Sequence, residues 1–249
     1  GAPRDLHSSP TRRSSDLGQV ADALERLADA TSYKQRYGSG DVLLFAVGDG
    51  NHSLATAKSV WEEIKAANKD NPDIMRHPAR HALVELVNIY DEGLPFHPIH
   101  RVLCKADRAL LEKALVAAGA SIESMDVKSA IQLADEAGTS EHRFAYMHRE
   151  GAALVRFAKP QAALATSTIQ QILDGYLKAH SDAGIDYIHG TESLIQLAEK
   201  PGNAGFYLPP VSKETFFDYI IRKGVMPRKT FSMGEAPEKR FYIEARKIV

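Results

Sequence analysis

A single cysteine, Cys104, in 249 residues leaves no internal disulfide to staple the chain. Stability then has to come from a buried core, and the expected setting is reducing and cytoplasmic. No run approaches the roughly 20 consecutive apolar residues that a membrane-spanning helix needs, so no membrane association is expected. Neither sign of charge is in excess: 31 Lys and Arg stand against 32 Asp and Glu, a formal net charge of −1. Bulk attraction to nucleic acid is therefore not indicated. Several short catalytic signatures are also missing. There is no Gly-Lys-Ser/Thr phosphate loop, no Gly-x-Gly-x-x-Gly fingerprint, no Gly-x-Ser-x-Gly elbow, no His-Glu-x-x-His helix and no paired cysteine motif. Repeats of 20–50 residues are absent too, which excludes a solenoid.

What remains is the composition of an ordinary globular chain, long enough for one large domain or two small ones. Residues 1–17 stand apart. They are rich in Ser and Arg, show no hydrophobic period, and lack the apolar stretch of a signal peptide. The run from His7 to Leu17 resembles a translated sequencing adapter, so the segment reads as foreign or disordered. If it is foreign, the native chain extends further upstream. Residues 18–249 then form an N-terminally truncated domain, and a missing part could complete its site.

From Gln19 the apolar residues Val20, Leu24, Leu27 and Ala28 recur at helical spacing and predict a helix to about Tyr37, ended by Gly38-Ser39-Gly40. A strand is expected over 42–47 and a helix over 53–67, with Leu54, Ala57, Val60, Trp61 and Ile64 as its apolar stripe. Residues 82–90 are β-branched and aromatic enough to predict a buried strand. The prolines Pro95 and Pro98 force an extended segment over 95–103. Further on, helices are expected over 107–118, 128–137, 168–180, 191–199 and from Ser212 to Gly224. Strands are expected over 121–126, 186–190, 205–208 and 241–249, with a hairpin at 144–148 and 152–158 around Arg149-Glu150-Gly151. This irregular alternation predicts a mixed α+β (α/β) fold rather than a regular doubly wound sheet. Its parts are a core at 18–105, a middle α/β part at 106–165 and a C-terminal part at 166–249.

One stretch concentrates reactive side chains. The apolar run Val42–Val47 ends in Gly48-Asp49-Gly50-Asn51-His52-Ser53, and an alanine-rich helix pattern follows. Gly48 and Gly50 permit positive φ and close ligand approach. A helix N-terminus presents unpaired N–H groups and partial positive charge, which suits phosphate. Asp49 could act as a base or a Mg²⁺ ligand, His52 could transfer protons near neutral pH, and Ser53 could cap the helix or bond a phosphate oxygen. A plain polar turn linking strand to helix is the alternative. Five of the ten histidines, His52, His77, His81, His97 and His100, fall within 49 residues. His77 and His81 have the spacing of a metal-binding pair on a helix, but Pro78 between them favours loop-edge hydrogen bonding. His100-Arg101 sets a proton-transfer group beside an obligate cation. Arg228, Lys229, Thr230 and Ser232 form a loop of cations and hydroxyls suited to phosphate or carboxylate, while Lys239-Arg240 reads as a solvated edge. Asp186, Tyr187 and His189 could line a pocket.

The turn from Gly48 to Lys58 resembles the Asp-Gly-x-His-Arg signature of the ParB/sulfiredoxin-like superfamily. It is more closely similar to the bacterial and archaeal domain of unknown function 1015 family. The likeness continues through Pro98-Ile99-His100-Arg101, Asp186-Tyr187-Ile188-His189-Gly190 and Pro227–Ala236, and so spans roughly residues 18–249. It implies a ParB/sulfiredoxin-like core with further α/β elements, and nucleotide phosphate held at the turn, as in sulfiredoxins, partition proteins and free serine kinases. The superfamily's Arg after His is Ser53 here, so other cations or backbone amides have to meet the phosphate. A sulfiredoxin needs a Cys in the turn, and position 51 is Asn.

The resulting expectation is a protein that binds a phosphorylated small molecule or nucleotide, in its sharpest form a small-molecule phosphotransferase resembling a free serine kinase and using Mg²⁺ with ATP or ADP. Gly48, Gly50, Asn51 and Ser53 would cradle phosphate, with Arg101, Arg228, Lys229 and Thr230 assisting. Asp49, His52 and His100 would carry the chemistry. The alternatives are a non-catalytic nucleotide or metabolite sensor using the same turn, and a ParB-like DNA-binding protein, which the balanced charge disfavours.

Overall fold

The computed structural model describes residues 14–38, 41–138 and 140–233. The expected strand at 241–249, Lys239-Arg240 and the first 13 residues lie outside them. The chain divides into two units, one running through Val84 and the other beginning at Glu85. The boundary falls before residue 105, so the 95–103 segment belongs with the later residues.

The first unit is helical. Helix α1 (Ser14–Leu27) begins earlier than Gln19 and so includes residues assigned to the foreign segment. The single helix predicted to Tyr37 is interrupted, because Asp29 starts a new one. Its Oδ1 accepts from Ser32 N at 2.8 Å and opens α2 (Ala30–Tyr37). Gly38, at φ 75°, closes α2 in the left-handed conformation, as its position predicts. Helix α3 (Asn51–Ala67) follows the Gly48–Gly50 turn and buries Trp61. Two short 3₁₀ turns, Ile74–Arg76 and Pro78–Arg80, complete the unit. His77 caps the second by accepting from Ala79 N, a loop-edge role.

The expected strands at 42–47 and 82–90 do not form: residues 42–47 and 82–88 join no ladder among the described residues, and 89–90 are in a turn. Phe45 and Val47 are about half exposed, and Leu83 and Val84 more so. Strand propensity describes fit to a pleated, half-buried surface, and it is realised only when a neighbouring strand satisfies the backbone. Among the described residues neither segment has such a neighbour.

The second unit is built on β1 (Phe96–Cys104), the extended segment the two prolines predict. It continues through α4 (Arg108–Ala117), β2 (Ser121–Met125), α5 (Val127–Asp135), the β3 (His142–His148) and β4 (Gly151–Phe157) hairpin, and α6 (Ala165–Ala179). Then come β5 (Gly184–His189), α7 (Thr191–Ala198), β6 (Ala204–Tyr207), α8 (Lys213–Lys223) and β7 (Phe231–Met233). The seven strands form an antiparallel sheet in the order β2-β4-β3-β6-β1-β5, with β7 also paired to β1. This is a mixed α/β fold, as the sequence predicts.

Both faces of the sheet are buried. Leu103 points into a core with Leu111 and Leu115 of α4 and Ile169 and Leu173 of α6. Its neighbour Val102 points the other way, against Ala130 of α5 and Leu194 and Ala198 of α7. Three of these helices, α4, α5 and α8, start at side-chain caps: Asp107 accepts from Leu110 N, Asp126 from Ser129 N and Ser212 from Glu214 N. Gly205 permits a close approach of α7 to β6. A Cβ there would lie 2.8 Å from Ala198 Cβ and 3.2 Å from Leu194 Cδ1.

Candidate functional site

In the first unit the chain enters α3 through Gly50, whose φ of 77° is left-handed. The turn is held by Asp49, whose Oδ1 accepts from Gly50 N at 2.8 Å. No side chain caps the helix, so its first N–H groups are left to a ligand or to water. Gly48, Asp49, Gly50, Asn51, His52 and Ser53 are all exposed. Asp49 is the one carboxylate of the turn. Among the described residues no three His, Cys, Asp or Glu side chains converge on a point where a metal ion could sit.

A groove of about 430 Å³ runs along one face of α3. Asn51, Leu54, Lys58 and Trp61 line it from the helix, spaced so that they share that face. Arg80 also lines it. Trp61 closes the groove on a nearly parallel stack with His77, ring centroids 6.3 Å apart. Arg80 keeps one guanidinium nitrogen on Met75 O at 3.0 Å. Two cations thus line the same groove as Asn51, the first residue of α3. Lys58 belongs to the Gly48–Lys58 stretch and Arg80 to no motif, so spacing alone does not point to them.

In the second unit the ladder brings three of the sequence segments together. Arg101 pairs with Tyr187 and Ile99 with His189 across β1 and β5. His97 pairs with Ser232 and Pro98 with Phe231 across β1 and β7. Paired residues share a face, and so do alternate residues of one strand. His97, Arg101, Tyr187, His189 and Ser232 are therefore on one face of the sheet. Ser232 Oγ and His189 Nδ1 lie 3.4 Å apart.

His100 is on the other face. It is buried, stacks on Tyr207 at 4.5 Å, and accepts from Leu208 N through Nδ1 at 3.1 Å. Burial first, then the neighbouring Arg101 charge, pulls it down to about 4, so it is neutral near pH 7. Arg101 is fully buried. Its Nε donates to Gln170 Oε1 at 3.0 Å, one terminal nitrogen donates to Ile99 O, and the guanidinium lies 4.9 Å from the Tyr187 ring centroid. Burial lowers it to about 10, which still leaves it charged. Gln170 had no sequence signal, because its part depends on where α6 packs. Arg228 and Lys229 are exposed at a turn, Lys229 at φ 57°. Thr230 is buried, and its hydroxyl donates to Pro227 O at 2.7 Å.

Comparison with known proteins gives a family. Residues 11–176 match the family described as protein of unknown function, DUF1015. No curated protein matches. Among solved structures, a conserved hypothetical protein from Pyrococcus furiosus is similar at 16% identity, covering 61% of this chain and 61% of that one, with a TM-score of 0.48. A free serine kinase in complex with ADP is similar at 13% identity, covering 60% and 58%, with a TM-score of 0.48. The chain thus spans about three fifths of the length of these structures. Likeness at this level leaves the question of activity to the chain's own residues. The family match runs from before α1 into α6 and takes in most of the chain, which therefore belongs to the DUF1015 family of proteins of unknown function.

Proposed function

We propose that the first unit binds a phosphorylated small molecule, with a nucleotide such as ATP or ADP as its sharpest form. The observation that carries this reading is the uncapped N-terminus of α3, entered through Gly50 and opening beside a groove that holds Lys58 and Arg80. The N–H groups of Asn51, His52 and Ser53 offer donors to phosphate oxygens, and the helix dipole favours negative charge there. Lys58 and Arg80 supply the charge that the superfamily's Arg provides and Ser53 does not. Asn51 and Trp61 are ten residues apart, about 15 Å along the helix axis. That length accommodates a phosphate at the turn and an apolar or aromatic group toward Trp61.

The resemblance to ParB/sulfiredoxin-like proteins points the same way. Phosphoryl transfer is the finer form of this proposal. Asp49 would then hold Mg²⁺ or accept the acceptor hydroxyl's proton, and His52 would move a proton nearby. The bound ion would neutralise phosphate charge.

Thermal shift and calorimetry with ATP, ADP and AMP test the binding, and phosphoserine formation from ATP, Mg²⁺ and serine tests the transfer. Binding is expected to weaken about tenfold or more in Lys58→Ala and Arg80→Ala, by loss of charge-assisted contacts. Asp49→Asn separates the two levels: it should leave binding largely intact and remove any turnover. Nucleotides that leave the melting temperature unchanged would sink the proposal.

A further inference from the structure

The second unit contains a buried cation that, among the described residues, no carboxylate contacts. Arg101 is fully enclosed. Gln170 and the Ile99 carbonyl take its Nε and one terminal nitrogen, while the other terminal nitrogen, Nη2, is buried and meets no acceptor. Asp174 acts on the guanidinium only at a distance, and its Oδ1 accepts from Gln170 Nε2 at 2.8 Å. A buried charged donor left unfilled is costly, and an anion from outside would relieve that cost.

The same sheet face holds the groups that would surround such an anion. Tyr187 pairs with Arg101, while His189 stands two positions further along β5, exposed, on a strand that among the described residues pairs only with β1. Ser232 adds a hydroxyl beside His189, and His97 adds a buried Nε2 that is also without a partner.

We propose that this face is a second binding site, for the carboxylate of a small organic acid, with Arg101 Nη2 as its principal donor and His189 and Ser232 at its mouth. The chemistry selects a monoanion. The Nε–H and one N–H of Nη1 are already committed, which leaves Nη2 and the second N–H of Nη1 to meet the two oxygens of a planar carboxylate. Asp174 offsets part of the positive charge, which disfavours a dianion. The proposal does not rest on the phosphate reading of the first unit.

The test follows the Arg101 Nε–H resonance of the ¹⁵N-labelled full chain during separate titrations with acetate, lactate and inorganic phosphate. A saturable shift with the carboxylates, weaker or absent with phosphate, is the expected result, and it should persist in Asp49→Asn. Calorimetry should show affinity about tenfold lower in Ser232→Ala, an exchange at the mouth of the site, and lost in Arg101→Met. Far-UV circular dichroism checks the fold of each variant, and the wild-type titration stands even if Arg101→Met fails to fold. No saturable shift with any carboxylate, or tighter binding of phosphate at this resonance, overturns the proposal.

Discussion

His100 and Arg101 are adjacent in sequence and serve opposite faces of one strand. Alternation in β1 sends His100 to Tyr207 and Arg101 to Gln170. His100 makes a pH prediction. In the folded chain it titrates near 4, against about 6.5 when unfolded. Between those values the unfolded state holds a proton that the folded state does not. Stability is therefore full above about pH 6.5 and falls as pH drops toward 4, by about 3 kcal/mol for this residue. His142 is buried and shifted the same way, so the variant must isolate the effect. Urea midpoints at pH 7 and pH 4.5 should differ less in His100→Asn than in the wild type. Equal differences in the two proteins would refute this account.

At the scale of elements, the segments that formed as predicted bring their own start and stop signals. Asp107, Asp126 and Ser212 cap their helices, and Arg149-Glu150-Gly151 turns the β3–β4 hairpin. Segments 42–47 and 82–90 are as apolar as the strands of the second unit, but among the described residues no neighbour pairs with them. The packing of α7 on β6 gives a sharper test. Gly205→Ala places a methyl group within 2.8 Å of Ala198 Cβ, where neither helix nor strand can yield cheaply. The expected loss is about 1–3 kcal/mol by chemical denaturation. Ala198→Gly in the same chain should recover part of it by making room. A neutral Gly205→Ala would mean that α7 does not pack this closely.

At the scale of the molecule, the division at Val84 and Glu85 predicts where the chain is cut first. Residues 82–88 have neither helix nor ladder, and Leu83, Val84, Leu86 and Val87 are exposed. Limited chymotrypsin or elastase digestion is expected to cleave within about residues 82–92, releasing a resistant fragment that carries β1–β7. Mass spectrometry identifies the sites. First cleavage inside the β3–β4 hairpin would contradict the division.

The sequence by itself determined the local features: the helix starts at Asp107 and Ser212, the hairpin, the extended run at Pro95–Leu103, and the Gly48–Ser53 turn. Each depends on residues a few positions apart, through caps, ring constraints or positive φ, so nearby sequence carries the signal. Only the tertiary structure decided which of the apolar runs became strands, because pairing needs a partner distant in the chain. It also decided that Arg101 shares a face with Tyr187, His189 and Ser232 while His100 does not. That arrangement follows from the register between β1, β5 and β7, whose residues lie roughly 90 to 130 positions apart. Lys58 and Arg80 line one groove for the same reason: tertiary packing sets them around one space, and no motif spacing records it.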